Sequence, residues 1–208
     1  KLPDLPAPTP YSSYIGWLRT RDRWKAEQYW RKSLHGVRAA TNPPLDHRPG
    51  GEGASGLGIR STTREIPQPC VAGLRELARS HRLTLNTLIQ GAVAILMSRH
   101  GGKRSVMFGE VVSGRPPDLP DSHAIVGLFV NTLPARIEVD EEAPLVEWLE
   151  AVQRQRVEMR EFSWCSLIEV QGWSEVPRGR PLFELLYVFE NTYYEASAAD
   201  AGIGTDLK

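Results

Sequence analysis

Cysteine is scarce in this chain, and its two cysteines lie far apart. Cys70 and Cys165 form no C-x-x-C pair and have no histidine at metal-ligand spacing. The sequence therefore gives no support for a disulfide framework or a thiolate metal site. We interpret both residues as reduced thiols and expect a cytoplasmic protein.

Long apolar runs and an excess of charge are also missing. No apolar run approaches the roughly 20 residues that a membrane-spanning helix needs, and the first residues lack the charged-then-apolar pattern of a signal peptide. The 25 basic residues balance the 25 acidic ones. The overall charge thus gives no reason to expect nucleic acid or an anionic membrane as a partner.

Motifs of independent catalysis are absent as well. The chain has no G-x-S-x-G, no glycine-rich phosphate loop and no H-E-x-x-H. Its five histidines are scattered, and we interpret each as a structural or surface residue: His35, His47, His81, His100 and His123. We expect neither a catalytic residue nor a metal site in this chain.

The composition nevertheless supports a substantial folded unit. With 41% hydrophobic residues among 208, the chain can bury the core of one domain or of one large lobe. Alternating helical and strand-like segments predict a layered α/β fold. We expect a proline-rich lead-in over residues 1–10, a folded unit over 11–195 and a flexible tail over 196–208.

Aromatic and apolar spacing locates the predicted helices. Residues 11–34 carry aromatics at roughly helical spacing, which predicts one amphipathic helix anchored to a core by its aromatic face. Pro69 suits the first turn of a second helix. Thr84 or Asn86 can cap a third, largely buried helix that stops at two glycines, 101 and 102.

A fourth helix is predicted to open at Pro144. We interpret its charged residues as a solvent-exposed face of the helix: Arg154, Arg156, Glu158 and Arg160. Residues 57–66 predict a weak strand. The apolar run over residues 182–189 predicts a strand that is buried on both sides.

Residues 111–137, VVSGRPPDLPDSHAIVGLFVNTLPARI, join two strand-like runs through a polar, proline-rich crossing. A connection of this length in a compact domain is usually functional or disordered. Its second half, around Ile125 and Phe129, is too apolar to be left in water. We therefore expect an ordered, functional crossing.

This crossing resembles the signature of nonribosomal peptide synthetase condensation domains, in S-G-R-P followed by V-G-L-F-V-N-T-L-P-A-R. Three further stretches resemble that family in the expected order. They are YSSYIGWLRTRDRWKAEQYWRKSLHG (11–36), LTLNTLIQGAVAIL (83–96) and RGRPLFELLYVFEN (178–191). The resemblance implies a chloramphenicol acetyltransferase-like fold, in which two α/β lobes with mixed sheets enclose a tunnel.

The resemblance also implies a reaction and its partners. Condensation domains join a donor acyl or peptidyl thioester to an acceptor aminoacyl thioester, both held as phosphopantetheine thioesters on carrier domains beside an adenylation domain. Their H-H-x-x-x-D-G element lies on the N-terminal lobe and has no match here. The chain is thus expected to be the C-terminal lobe, incomplete at its end, inactive alone, and the source of a tunnel wall and carrier-docking surface.

Carried over residue by residue, the resemblance implies that seven residues line or frame the tunnel: Ser113, Gly114, Arg115, Gly127, Phe129, Asn131 and Thr132. Glycines would let backbone amides approach a thin pantetheine arm, and Arg115 could clamp a carboxylate or phosphate. Alternatively, Arg115 and Asn131 only tie the crossing to its own lobe.

Two other functions remain open at this point. One is a non-catalytic, condensation-like platform that recruits a partner protein or a carrier domain. The other is a free-standing acyltransferase of the same superfamily. If the chain is a lobe, it should also expose an apolar face and associate when isolated.

Overall fold

The computed structural model describes residues 7–41 and 61–190, which contain six α-helices and three strands. The helices are α1 (Tyr11–Arg19), α2 (Arg23–Ser33), α3 (Gln68–Ser80), α4 (Leu85–Gly101), α5 (Leu145–Glu161) and α6 (Leu167–Trp173). The strands are β1 (Ser105–Val112), β2 (Asn131–Glu138) and β3 (Leu186–Tyr187). No helix in these ranges is long and apolar enough to cross a membrane.

Side-chain caps explain where several helices begin and end. The Thr84 hydroxyl accepts a hydrogen bond from the Thr87 amide at 3.1 Å, so Thr84 rather than Asn86 caps α4. Gly102 ends that helix in a left-handed conformation, with φ of +62°. Pro69 falls in the first turn of α3, and Pro144 directly precedes α5. These boundaries confirm the predicted helices.

The single helix predicted over residues 11–34 is wrong, because the chain breaks between α1 and α2. The Asp22 carboxylate accepts a hydrogen bond from the Lys25 amide at 2.9 Å, which starts a new helix at Arg23. The aromatic face still anchors both helices, since Tyr14 and Trp30 are buried. The break gives α1 and α2 different packing partners.

The sheet is mixed, as predicted, with strand order β2-β1-β3. β1 and β2 are antiparallel from the pair Ser105 and Glu138 to the pair Val112 and Asn131. β1 and β3 are parallel over two residue pairs. Beyond β3, the same edge of β1 is occupied by the buried Thr41, whose hydroxyl accepts a hydrogen bond from the Met107 amide at 2.8 Å.

Two strand predictions need correction. The run over residues 182–189 contributes only Leu186–Tyr187 to the sheet, and Leu186 and Val188 are both more than half exposed, so this strand is not buried on both sides. Residues 61–66 of the other predicted strand form no strand, and residues 57–60 lie outside the described ranges. Weak apolar content is the physical reason in the second case.

Two hydrophobic clusters border the sheet. The first joins α3, α4, the strands and the first half of α5 around Phe108 and Trp148. The second joins α2, the end of α5 and α6 around Trp30, Met107 and Leu133. α4 packs against α3, α5 and β1, as expected of a mostly buried helix, although Leu96 is 52% exposed.

A third, smaller cluster holds α1 against the crossing. Tyr14 of α1 packs with Leu119, Ile125 and Phe129, and Thr9 bridges to Ile125 just before the helix. Around the buried Ile125 and Phe129, three large apolar side chains are more than half exposed: Val126, Leu128 and Val130. The crossing is therefore ordered, as predicted, and carries an exposed apolar row.

Candidate functional site

A cavity of about 1100 Å³ lies where the helices meet the start of the crossing. It is bordered by the junction of α1 and α2, the first residues of α4, the end of β1, residues 113–118, the second half of α5 and residues 162–164. Its size suits a small molecule or the arm of a larger one. Residues 111–118 of the crossing supply one side of it.

Three of the seven predicted site residues, Ser113, Gly114 and Arg115, line this cavity. Gly114 has φ of +62°, and a Cβ added there would lie 1.8 Å from the Phe129 carbonyl oxygen. Only glycine fits such a close approach of two backbone segments. Gly114 thus lets the start and the end of the crossing lie against each other.

Arg115 ties the crossing together. Its Nη1 donates hydrogen bonds to the carbonyl oxygens of Ser122 and Ile125, and its guanidinium lies 4.0 Å from the centre of the Phe129 ring. These contacts all lie within the crossing, and they are compatible with the alternative of a tying role for Arg115. The side chain still borders the cavity.

The other four predicted residues lie behind the cavity wall rather than along it. Gly127 packs on the Tyr11 ring, where an added Cβ would come within 2.2 Å, and Phe129 is buried in the third cluster. The Thr132 amide donates to the side-chain oxygen of Asn131 at 2.9 Å. These residues frame the crossing.

Asn131 links the crossing to the far side of the cavity. Its Nδ2 donates to the carbonyl oxygens of Ser163 and Cys165, at 2.8 and 2.7 Å. Ser163 itself borders the cavity. Both polar atoms of the Asn131 amide are therefore engaged in holding the wall, and its contacts also match the tying role.

Asp118 connects the crossing to α1 at the cavity rim. Its carboxylate accepts hydrogen bonds from Trp17 Nε1 at 3.2 Å and from Arg21 Nη1 at 3.1 Å. The Arg21 guanidinium also lies 4.2 Å from the centre of the Trp17 ring. The α1 helix and the crossing thus meet the cavity as one unit.

The side of the cavity formed by Glu110 of β1, Arg156 of α5 and Asn86 of α4 is called the inner wall here. It contains a buried ion pair that was not predicted from the sequence. Arg156 Nη2 and Nε donate to Glu110 Oε1 at 2.5 and 3.1 Å, and the two side chains are only 9% and 2% exposed. Arg156 was predicted to lie on a solvated face, and this is wrong. Glu110, a lone charge inside an apolar strand, was the available signal, because a buried carboxylate needs a partner.

Next to this pair, a second hydrogen bond supports Asn86, which borders the cavity. The Tyr187 hydroxyl donates to Asn86 Oδ1 at 2.6 Å, and Tyr187 pairs with Glu110 in the sheet. Burial raises the pKa of Tyr187 to about 12. The hydroxyl is the donor in this bond because Asn86 Oδ1 can only accept, and the raised pKa keeps the hydroxyl protonated well above neutral pH.

No histidine or cysteine of the described residues borders the cavity. Four of the histidines, at positions 35, 81, 100 and 123, are not buried and do not border it; His47 lies outside the described residues. Burial raises the pKa of the Cys165 thiol to about 11. No group of three or more metal-ligating side chains is arranged for a metal within residues 7–41 and 61–190.

Solved structures identify the fold. The first condensation domain of the CDA synthetase superposes with a TM-score of 0.68 and 15% identity, covering 91% of this chain and 41% of that one. A four-domain nonribosomal peptide synthetase bound to AMP and glycine gives a TM-score of 0.69 and 20% identity, covering 84% of this chain and 13% of that one. The chain thus has the chloramphenicol acetyltransferase-like fold of condensation domains.

Sequence relatives identify the family. The condensation-domain family model matches residues 1–207, and the chain belongs to this family. A linear gramicidin synthase of Brevibacillus parabrevis is 41% identical over 211 residues, which is 98% of this chain and 4% of the synthase. Chondramide synthase cmdD of Chondromyces crocatus is 40% identical over 185 residues, 88% of this chain and 5% of the synthase. The chain therefore spans a small part of these relatives.

Proposed function

We propose that this chain is the C-terminal lobe of a nonribosomal peptide synthetase condensation domain that forms an amide bond. The acceptor's amine nitrogen attacks the carbonyl carbon of the donor thioester. The carbon–sulfur bond breaks, the donor's carrier regains its thiol, and the amine loses one proton. The observation that carries this proposal is the family match over residues 1–207.

The proposed contribution of this lobe is one wall of the substrate tunnel and part of the carrier-docking surface. Ser113, Gly114 and Arg115 would meet the phosphopantetheine arm, because they line the cavity. Gly127, Phe129, Asn131 and Thr132 would keep that wall in place, since their contacts hold the crossing and residues 163–165. We assign no catalytic residue to this chain.

The proposed partners are the N-terminal lobe, carrier domains that present phosphopantetheine, and an adenylation domain. The catalytic histidine would come from the N-terminal lobe, in the H-H-x-x-x-D-G element that this chain lacks. The exposed apolar row of Val126, Leu128 and Val130 supports a lobe that is covered by another one. A cytoplasmic location is proposed with these partners, and the two free cysteines support it.

The test is a condensation assay on the complete domain that contains this chain, with donor and acceptor loaded on their carriers. Ser113→Trp should abolish product, because Ser113 is exposed at the cavity and a large ring would fill that space. Ser12→Trp is the matched control, since Ser12 is exposed on α1 and does not border the cavity. A well-folded wild type that forms no amide would favour the non-catalytic platform.

A further inference from the structure

The inner wall of the cavity presents hydrogen-bond donors, whereas its acceptors are already engaged. The Glu110 carboxylate is occupied by Arg156, and Asn86 Oδ1 is occupied by the Tyr187 hydroxyl. The nitrogens of these two side chains that remain unpaired in the described part of the chain are Arg156 Nη1 and Asn86 Nδ2. Neither atom makes a hydrogen bond within residues 7–41 and 61–190, and both residues border the cavity.

These two donors are held rigidly by their neighbours. Glu110 fixes the plane of the Arg156 guanidinium through two of its nitrogens. Tyr187 fixes which way the Asn86 amide points, because its protonated hydroxyl donates to the oxygen and leaves the NH2 group free. Glu110 and Tyr187 are register partners on β1 and β3, so the two supports are adjacent in the sheet.

A buried ion pair is a poor way to stabilise a fold, because removing two charges from water costs about as much as their attraction returns. The Arg156 guanidinium at this wall would instead have a functional role if its unpaired Nη1 binds a ligand. A pair of unpaired donors at the cavity wall selects a group with oxygen acceptors. It disfavours an apolar group of the same size, which would leave both donors unpaired.

We propose that Arg156 Nη1 and Asn86 Nδ2 form a specificity site for a carbonyl or carboxylate oxygen on the side chain of one of the two acyl groups being joined. The proposal rests on the proposed function, since it places a substrate side chain in this cavity. Asparagine, aspartate and leucine side chains are nearly equal in size and differ in these oxygens. They are the natural probes.

The experiment uses the complete condensation domain with asparagine, aspartate or leucine loaded in turn on the donor carrier and then on the acceptor carrier. At one of the two positions, kcat/KM for asparagine or aspartate should exceed that for leucine by about tenfold or more, the effect of one to two satisfied hydrogen bonds. Whether asparagine or aspartate is preferred identifies the oxygen as amide or carboxylate.

Two variants remove one donor each while sparing its support. Asn86→Asp keeps an oxygen for the Tyr187 hydroxyl but replaces the free NH2 group by an acceptor. Arg156→Lys keeps a positive charge opposite Glu110 but loses the second planar nitrogen. Both should reduce the oxygen-to-leucine ratio toward one. Arg154→Lys, on the exposed side of the same helix, should leave the ratio unchanged.

The outcomes separate this proposal from the proposed function. Amide formation at equal rates with all three side chains overturns the specificity site alone. So does a preference that persists in both folded variants, because it then arises elsewhere. No amide from any substrate in a folded, carrier-loaded wild type overturns the site and the proposed function together.

Discussion

Two regions of this molecule are held together in different ways. The helices around the sheet rely on fully buried apolar side chains such as Phe108 and Trp30. The crossing and α1 share only the small third cluster. They depend in addition on specific contacts, namely the backbone approach at Gly114 and the hydrogen bonds of Arg115, Asn131 and Asp118. The cavity lies between the two regions. One of its sides is therefore stabilised by the main core and the other by a small cluster and individual hydrogen bonds.

The largest effect should come from the core. Phe108→Ala removes a ring that is wholly buried between α4, α5 and the sheet, and should lower the free energy of unfolding by about 3–5 kcal/mol. Urea unfolding of the chain measures this loss. Leu96→Ala is the control, because Leu96 is exposed on α4 and should cost less than about 1 kcal/mol. Equal losses would mean that the core is not where stability resides.

A change in the crossing should act locally. Gly114→Ala forces a Cβ into the Phe129 carbonyl at a positive φ and should cost about 2 kcal/mol or more. Amide hydrogen exchange should accelerate over residues 114–130 and remain slow in β1. Gly73→Ala, in an exposed part of α3 with open space around it, should instead stabilise by about 0.5–1 kcal/mol. Faster exchange throughout the sheet would show that the two regions unfold together.

Alkaline pH should weaken the second cluster. Burial raises the pKa of Cys165 from 9.0 to about 11, so the unfolded thiol ionises before the folded one. Stability from this group is complete below pH 9 and is lost as pH rises toward 11. The test compares Cys70→Ala with the double variant Cys70→Ala/Cys165→Ala. The single variant should have the larger free energy of unfolding below pH 9, and this difference should shrink as pH rises toward 11. A constant difference would contradict the burial effect.

The smallest effect is expected at the rim. Asp118→Asn weakens the contacts with Trp17 and Arg21, which are partly exposed, and should cost about 0.2–1 kcal/mol, less at high salt. Hydrogen exchange in α1 should increase slightly. Glu76→Gln removes a more exposed ion pair within α3 and should leave α1 unchanged. An equal response of α1 to both variants would mean that Asp118 does not hold it.

The helices were predictable where the sequence shows their ends. Pro69, Thr84, Gly102 and Pro144 each mark a boundary by a local conformational preference. The break between α1 and α2 was missed although Asp22 can cap a helix, because aromatic spacing continued across it. Spacing reports which side of a segment is apolar but does not reveal a change of direction.

Site residues were harder to predict because they depend on contacts between distant segments. Arg156 has the periodicity of an exposed residue, and only its position opposite Glu110, 46 residues away, makes it buried. Asn131 was predicted from the resemblance, but its partners at 163 and 165 follow a helix with no sequence signal for that contact. The sequence did not reveal that β3 is only two residues long, since apolar content does not specify which residues pair with a neighbouring strand.

Thr41 has a consequence for how the sheet meets other chains. Its hydroxyl accepts a hydrogen bond from the Met107 amide. A neighbouring strand would otherwise use this backbone donor to extend the pairing that Leu186–Tyr187 begins. A single side chain occupies only one amide and presents no row of backbone donors and acceptors with which a further strand could pair. Thr41 therefore limits the extension of strand pairing along this edge of β1.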